Sequence, residues 1–172
     1  NILTYFNEYK HYRTNFLTRI DKTLKRLKIF FGENLSTFEK NFRIKYNCNY
    51  AIAVGSGPDA ILISLLSLNL KKGDEVITAS NTAIPTISAI INVGGKPKFA
   101  DIGNDYLIDT NKIDKLITKK TKAIITVHFY GQACEMDKIN KIANKYNLNI
   151  LEDCAQAQAT TYQGNFLDTL VN

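Results

Sequence analysis

Little in this sequence builds a site by spacing alone. It has three cysteines and two histidines in 172 residues. Cys48, Cys134 and Cys154 lie far apart and form no Cys-x-x-Cys pair, so zinc fingers and ribbons are not expected. An odd count and the lack of a disulfide-scaffold pattern point to a reducing setting, the cytoplasm. His11 and His128 fall in different regions, which leaves no His-rich metal centre, and no metal is expected. No stretch is rich in Pro, Gly or Ser, and no single-residue tract suggests disorder. No apolar run reaches the ~18 residues of a membrane-spanning helix. The first residue is Asn1 rather than Met, with no basic-then-apolar signal segment after it. On that ground the sequence reads as part of a longer frame.

What is present suffices for one good core: 45% of the residues are hydrophobic and 22% are charged, a globular balance. The net charge of +6 is uneven. Residues 1–45 hold ten Lys/Arg against four Asp/Glu, and residues 46–172 hold twelve of each. A basic N-terminal region can meet nucleic acid or a membrane surface. With no zinc-finger spacing or RNA-binding motif, the plainer account is a solvated, Lys-rich helix face. Neither nucleic acid nor membrane is expected as a partner.

Apolar residues at helical spacing (Phe6, Tyr9, Phe16, Ile20, Leu24, Leu27) predict an amphipathic helix over 5–29, packing on the domain or on a partner subunit. Gly32 interrupts it. Ser36, with Glu39 three residues on, has the form of a capping box and predicts a second helix from Ser36 to near Asn47. From Tyr50 short apolar runs alternate with amphipathic stretches. Strands are predicted at 50–54, 75–78, 98–101, 123–127 and 149–152, and helices at 59–68, 85–93, 111–116 and 136–146. This alternation is the signature of right-handed βαβ units on a mostly parallel sheet. The expected division is residues 1–49, N-terminal helices, and 50–172, an α/β domain.

In a parallel sheet the loops after the strands gather at one edge, where ligands bind. Here those loops are 55–59, 80–83, 101–104, 128–132 and 153–158. The first, Gly55-Ser-Gly-Pro-Asp-Ala60, turns sharply into a helix whose free N–H groups can hold a phosphate. Pro58 at the first helical position loses only an N–H that would be unpaired anyway. The loop also fits the relaxed dinucleotide fingerprint G-x-G-x-x-A, which requires an acid about 20 residues on to hold a ribose. The next strand ends Thr78-Ala-Ser-Asn81, without one. A purely structural strand-to-helix turn is the remaining account.

Asp153 closes the last predicted strand, with Gln156 just beyond. A buried carboxylate there can keep a pyridine nitrogen protonated, or it caps a turn. Strand alternation turns Glu152 to the opposite face, as a salt-bridge residue. His128-Phe-Tyr-Gly131 offers a ligand contact or fills core space around a turn. Ser80-Asn-Thr82 offers polar groups or caps the helix near Pro85.

The runs Gly55-Ser-Gly-Pro-Asp-Ala60, Lys72-Gly-Asp-Glu-Val-Ile77, Ser80-Asn-Thr82, Gly95-Lys-Pro97, Val127-His-Phe-Tyr-Gly-Gln132 and Glu152-Asp-Cys-Ala-Gln-Ala157 resemble the DegT/DnrJ/StrS aminotransferases. Order and spacing agree from about Tyr5 to Leu170. The resemblance implies the large domain of a fold-type-I pyridoxal-phosphate (PLP) transferase, a three-layer α/β architecture on a mostly parallel sheet, truncated here. It implies transfer of an amino group, from glutamate, to a nucleotide-linked keto-sugar, in a homodimer whose N-terminal helices contact the partner. Position by position, Asp153 would pair with the pyridine nitrogen and Gln156 with the ring's phenolic oxygen. Ser56, Gly57, Pro58 and Asp59 would hold the phosphate. Ala83 stands where an aromatic ring often stacks on the cofactor, so stacking is weaker or comes from elsewhere. Asn81, Thr82, His128 and Tyr130 would line the site.

One part is missing. The family's Schiff-base lysine lies in a Ser-Phe-x-x-x-Lys segment after the Asp153 motif. Residues 160–170 resemble the lead-in to it, but no lysine follows Lys145. The expectation is the N-terminal half of a sugar aminotransferase with no catalytic residue of its own and no C-terminal small domain. Such a half would be inactive alone and poorly soluble through an uncovered sheet edge. The alternative is a truncated, non-catalytic binding module of the same fold. An NAD-dependent reductase has only the glycine fingerprint in its favour.

Overall fold

The structure, a computed structural model, describes residues 5–27 and 29–167; residues 168–170 of the lead-in segment lie outside them. The chain forms two units, residues 1–45 with 49–53 and residues 46–48 with 54–172.

The first unit holds α1 (Tyr5–Lys25) and most of α2 (Glu33–Tyr46). An Arg26–Glu33 ion pair of 2.7 Å and an Asn34–Thr23 hydrogen bond of 2.8 Å tie the two helices across their turn. The expected capping box is not formed. The Gly32 carbonyl already accepts from the amides of Leu35 and Ser36, at 3.0 and 3.3 Å, so the helix has begun before Ser36. Ser36 Oγ donates to the Glu33 carbonyl instead, at 3.2 Å. The Glu39 carboxylate accepts from the Ala53 amide at 2.9 Å. That bond also bears on the strand expected over 50–54, which is absent. A strand exists only by pairing, and these residues have no ladder partner among the described residues. Ile52 is 80% exposed.

The second unit begins with α3 (Gly57–Ser67), β1 (Glu75–Ala79), α4 (Ile84–Asn92) and β2 (Lys96–Ala100). It continues with α5 (Thr110–Ile113), extended by a 3-10 turn over Asp114–Leu116, then β3 (Thr121–Val127), α6 (Met136–Tyr146) and β4 (Asn149–Asp153). A two-stranded hairpin of β5 (Thr161–Tyr162) and β6 (Asn165–Phe166) follows. The four long strands pair in parallel in the order β2-β1-β3-β4.

This order fixes the layers. The chain steps one way from β1 to β2, then crosses back over β1 to reach β3 and continues to β4. Right-handed crossovers therefore place α4 on one face and α5 and α6 on the other. The packing agrees: α3 lies against α4, and α5 against α6. Covered on both faces, the central strands are apolar through their middles, with Thr78 and Thr126 buried near their carboxyl ends. Val76, Ile77, Ala123, Ile124 and Ile125 are wholly buried. The change of direction between β1 and β3 opens a crevice at their carboxyl ends, the usual ligand position in such sheets. Among the described residues no helix is long and apolar enough to cross a membrane.

Helix α6 ends where Asn147 takes a left-handed φ of 52°, letting the Leu148 amide reach back to the Ala143 carbonyl at 2.9 Å. A β-carbon without a compensating polar group is strained there. Asn147→Ala is expected to lower stability by about 1 kcal/mol, while Asn147→Gly leaves it level or raised, in urea unfolding.

Candidate active site

The carboxyl ends of β3 and β4 carry the core of the site. Their ladder runs in register from Ala123↔Asn149 to Val127↔Asp153. It gains one more rung, from the His128 amide to the Asp153 carbonyl at 3.1 Å. Asp153 is half-buried, and its Oδ1 accepts from the Ala155 amide at 3.1 Å. That bond orients the carboxylate; the second oxygen makes none among the described residues. Gln156 Oε1 accepts from the Tyr130 amide at 3.2 Å. An N–H can only donate, so the amide must present its oxygen to Tyr130 and its NH2 group outward.

The loop after β3 turns tightly through two left-handed residues, Tyr130 at φ 58° and Gly131 at φ 75°. For a bulky side chain that conformation is uncommon and needs support from its surroundings. Gln156 supplies part of it, and the Thr160 hydroxyl donates to the Gly131 carbonyl at 3.2 Å. The Tyr130 ring packs on Phe129, with centroids 5.6 Å apart, and stays 69% exposed.

His128 lies elsewhere. Expected to line the site, it is fully buried. Its Nδ1 accepts from the Cys134 amide at 3.0 Å, and its Nε2 meets Glu152 Oε2 at 3.0 Å. Glu152 faces away from Asp153, as strand alternation requires.

Helix α3 opens with Ser56 as its N-cap and Pro58 in its first turn. Ser56 Oγ accepts from the Asp59 amide at 3.3 Å and donates to Asp59 Oδ2 at 2.8 Å. A β-carbon added at Gly57 would meet nothing within 4 Å, whereas one at Gly55 would come 2.8 Å from Asp59 Oδ2. The turn is therefore open on the Gly57 side and closed by the Asp59 carboxylate on the other. A phosphate here has to take the Ser56 hydroxyl from Asp59.

The turn from β1 into α4 completes the edge. Ala83 is the N-cap of α4 and makes no side-chain capping bond, so Asn81 and Thr82 do not serve as caps. Asn81 Nδ2 donates to the Tyr106 carbonyl at 3.0 Å. Along this one stretch Thr78 Oγ1, Asn81 Oδ1, Thr82 Oγ1 and Thr86 Oγ1 are all buried without a partner among the described residues. Native interiors leave few such groups, and these stand at the crevice between β1 and β3. Gln156, three residues after Asp153, is thus joined directly to Tyr130; Asn81 and Thr82 share their sheet edge, and Ser56–Asp59 lead a helix that contacts β4.

Two further features had no signal in the sequence. Burial pushes the Cys134 thiol up to about 12; its Sγ sits 3.4 Å from the Val127 carbonyl. The Tyr162 hydroxyl donates to the Asp137 carboxylate, fastening the hairpin to α6. This bond holds Asp137 below its ordinary 3.8 and raises Tyr162 above its ordinary 10.0.

Cys134 is expected to be the last of the three cysteines to react with iodoacetamide near pH 8, reacting only as the fold opens. Mass spectrometry of timed samples checks this. For the hairpin, ionised Asp137 favours folding above pH 3.8 and loses that contribution as pH falls through its lowered value. Protonated Tyr162 favours folding below pH 10.0 and loses it as pH rises through its raised value. Tyr162→Phe should therefore lower the melting temperature near neutrality, with the gap from wild type closing at both extremes.

The chain is 33% identical over 170 residues to a dTDP-3-amino-3,4,6-trideoxy-alpha-D-glucose transaminase of Micromonospora megalomicea subsp. nigra, covering 98% of this chain and 46% of that protein. The structure of S. venezuelae DesV in complex with a ketimine intermediate superposes with a TM-score of 0.87 at 32% identity, over 91% of this chain and 43% of that one. NtdA of Bacillus subtilis with bound cofactor PMP gives a TM-score of 0.83 at 40% identity, over 86% of this chain and 34% of that one. The chain thus spans less than half the length of each. Residues 10–170 match the DegT/DnrJ/EryC1/StrS aminotransferases, and it is to this family that the chain belongs.

Proposed function

We propose that this chain is the cofactor-binding portion of a PLP-dependent enzyme that aminates a nucleotide-linked keto-sugar, with glutamate as amino donor. Asp153 carries the proposal: it is a half-buried, strand-end carboxylate with one oxygen anchored by Ala155 and the other unspent. The residues present fit the cofactor at three points. Asp153 would hold a proton on the pyridine nitrogen, and the outward NH2 of Gln156 would donate to the phenolic oxygen. Ser56, Gly57, Pro58 and Asp59 form the first turn of a helix, where backbone N–H groups and the helix dipole favour a phosphate. When bound, the cofactor supplies an electron sink for the carbon bearing the transferred amino group. The unpartnered atoms of Asn81 and Thr82 would take polar groups of the cofactor or substrate, and Ala83 leaves the ring face open. Tyr130 would stand at the mouth of the site.

No lysine follows Lys145, so this chain supplies no amine after the Asp153 motif and is inactive alone in this proposal. The second possibility is a non-catalytic binding module of this fold. The N-terminal helices, residues 1–49, would contact the partner in a cytoplasmic homodimer. In support, α1 exposes Phe6, Phe16, Ile20 and Leu24.

Titration of the chain with PLP, followed by cofactor absorbance, tests the core of this. Asp153→Asn is expected to weaken binding about tenfold, roughly 1.4 kcal/mol. Gln156→Glu keeps an acceptor for the Tyr130 amide but removes the donor, so it should weaken binding with little change in melting temperature. Borohydride should trap no cofactor at any one lysine. PLP binding indifferent to Asp153→Asn, or a stoichiometric reduced adduct at one lysine, would overturn the assignment.

A further inference from the structure

Beneath the site, on the face opposite Asp153, lies a polar chain with no direct role in holding a ligand. The Cys134 amide donates to His128 Nδ1 at 3.0 Å, and His128 Nε2 meets Glu152 Oε2 at 3.0 Å. The His128 side chain is 0% exposed and that of Glu152 is 3% exposed. Because Nδ1 accepts a hydrogen bond it carries no proton; the imidazole is the Nε2–H tautomer and donates to Glu152. The other carboxyl oxygen, Glu152 Oε1, is buried without a partner among the described residues.

This is an expensive way to fill an interior. A polar network with an unsatisfied member is worse for stability than apolar side chains of like volume. Two uses could account for it. Glu152 Oε2, His128 Nε2 and Cys154 Sγ belong to residues whose ligand atoms lie within 4.8 Å of one another, the outline of a metal site. A metal would need Nε2, which would move the imidazole proton to Nδ1, where the Cys134 amide already donates. The tautomer therefore disfavours a metal.

The second use follows from where the bonds attach. His128 grips β4 twice, through its amide to the Asp153 carbonyl at 3.1 Å and through its ring to Glu152. Asp153 is the last residue of the strand, where a ladder frays. One grip holds its backbone. The other holds the preceding side chain on the opposite face, so the strand end cannot rotate about its own axis. Both act on the residue whose carboxylate direction decides whether a ring nitrogen can be met.

We propose that His128 and Glu152 are positioning residues that fix the direction of the Asp153 carboxylate through a buried hydrogen-bonded pair on the reverse face of the sheet. The consequence for PLP affinity rests on the function proposed above. The consequence for Asp153 itself does not.

The decisive variant is the double replacement His128→Leu with Glu152→Leu, compared with Glu152→Gln, which keeps an acceptor for Nε2–H. Two readouts separate the proposal from a merely structural role. The first is hydrogen exchange at the Ala155 amide, which bonds to the Asp153 side chain, measured against amides in the middle of β3. In the double variant Ala155 should exchange about tenfold faster while central β3 is unchanged, and Glu152→Gln should restore the wild-type rate. The second is PLP affinity, expected to fall about tenfold in the double variant even where its melting temperature is equal or higher. In an Asp153→Asn background the double replacement should add nothing, because it acts through that carboxylate. If wild type and Asp153→Asn bind PLP equally, the cofactor assignment fails and exchange at Ala155 still decides this proposal. Unchanged Ala155 exchange in a folded double variant overturns it, as does PLP affinity that follows stability alone. If the double variant does not fold, Glu152→Ala takes its place in both readouts with the same expectations.

Discussion

The register of β4 against β3 is the constraint on which the site depends. Side chains alternate along a strand with a period of two, so a slip of one residue exchanges every inward and outward position. Here it would turn Glu152 toward the ligand edge and bury Asp153. The buried Ile124 and Ile125 of β3 hold the register along its length, and the His128 amide holds it at the end. Apolar packing thus decides which of two adjacent carboxylates faces a ligand. Chemistry at the sheet edge is fixed by the core several residues away.

The rest of the edge follows from topology and bears a cost in free energy. Reversal of the crossover direction between β1 and β3 gathers the β1–α4 turn and the loop after β3 around one crevice. Into that crevice the chain puts groups that packing alone would not choose. Each buried hydroxyl left without a partner costs about 1–3 kcal/mol, and several stand between Thr78 and Thr86. Tyr130 occupies a left-handed conformation that favours glycine. Such departures concentrate at ligand sites, where a bound group offsets them. Here they coincide with Asp153, Gln156 and the opening turn of α3.

What the sequence could show followed the strength of each periodic signal. The helix Met136–Tyr146 was expected with these bounds because its apolar stripe is strong and Asn147 stops it. β1 and β3, buried on both faces, stand out as short, mainly apolar runs. Local patterns that depend on distant partners did not carry through. Ser36 and Glu39 have the letters of a capping box, yet Gly32 starts the helix earlier and Glu39 turns to Ala53. Residues 50–54 have the letters of a strand, but a strand is a property of a pair. From the sequence, His128 suits the core slightly better than a ligand. The placement of the Cys134 amide, six residues on, and of Glu152, on the neighbouring strand, decides the matter.

The adjacency of Glu152 and Asp153 shows why two carboxylates of like chemistry are not interchangeable here. Asp153 has a short side chain that stays close to its own backbone, where the Ala155 amide can take one oxygen and leave the other unspent. A glutamate there would carry its carboxylate past that amide and lose the fixed direction. Glu152 needs its extra methylene for the opposite reason: the partner it meets, His128, lies one position beyond the last paired residue of β3. An aspartate at 152 would stop short of Nε2 and leave a buried N–H without an acceptor, a defect the interior tolerates poorly. Length, register and burial together assign one carboxylate to the ligand and the other to the strand that presents it.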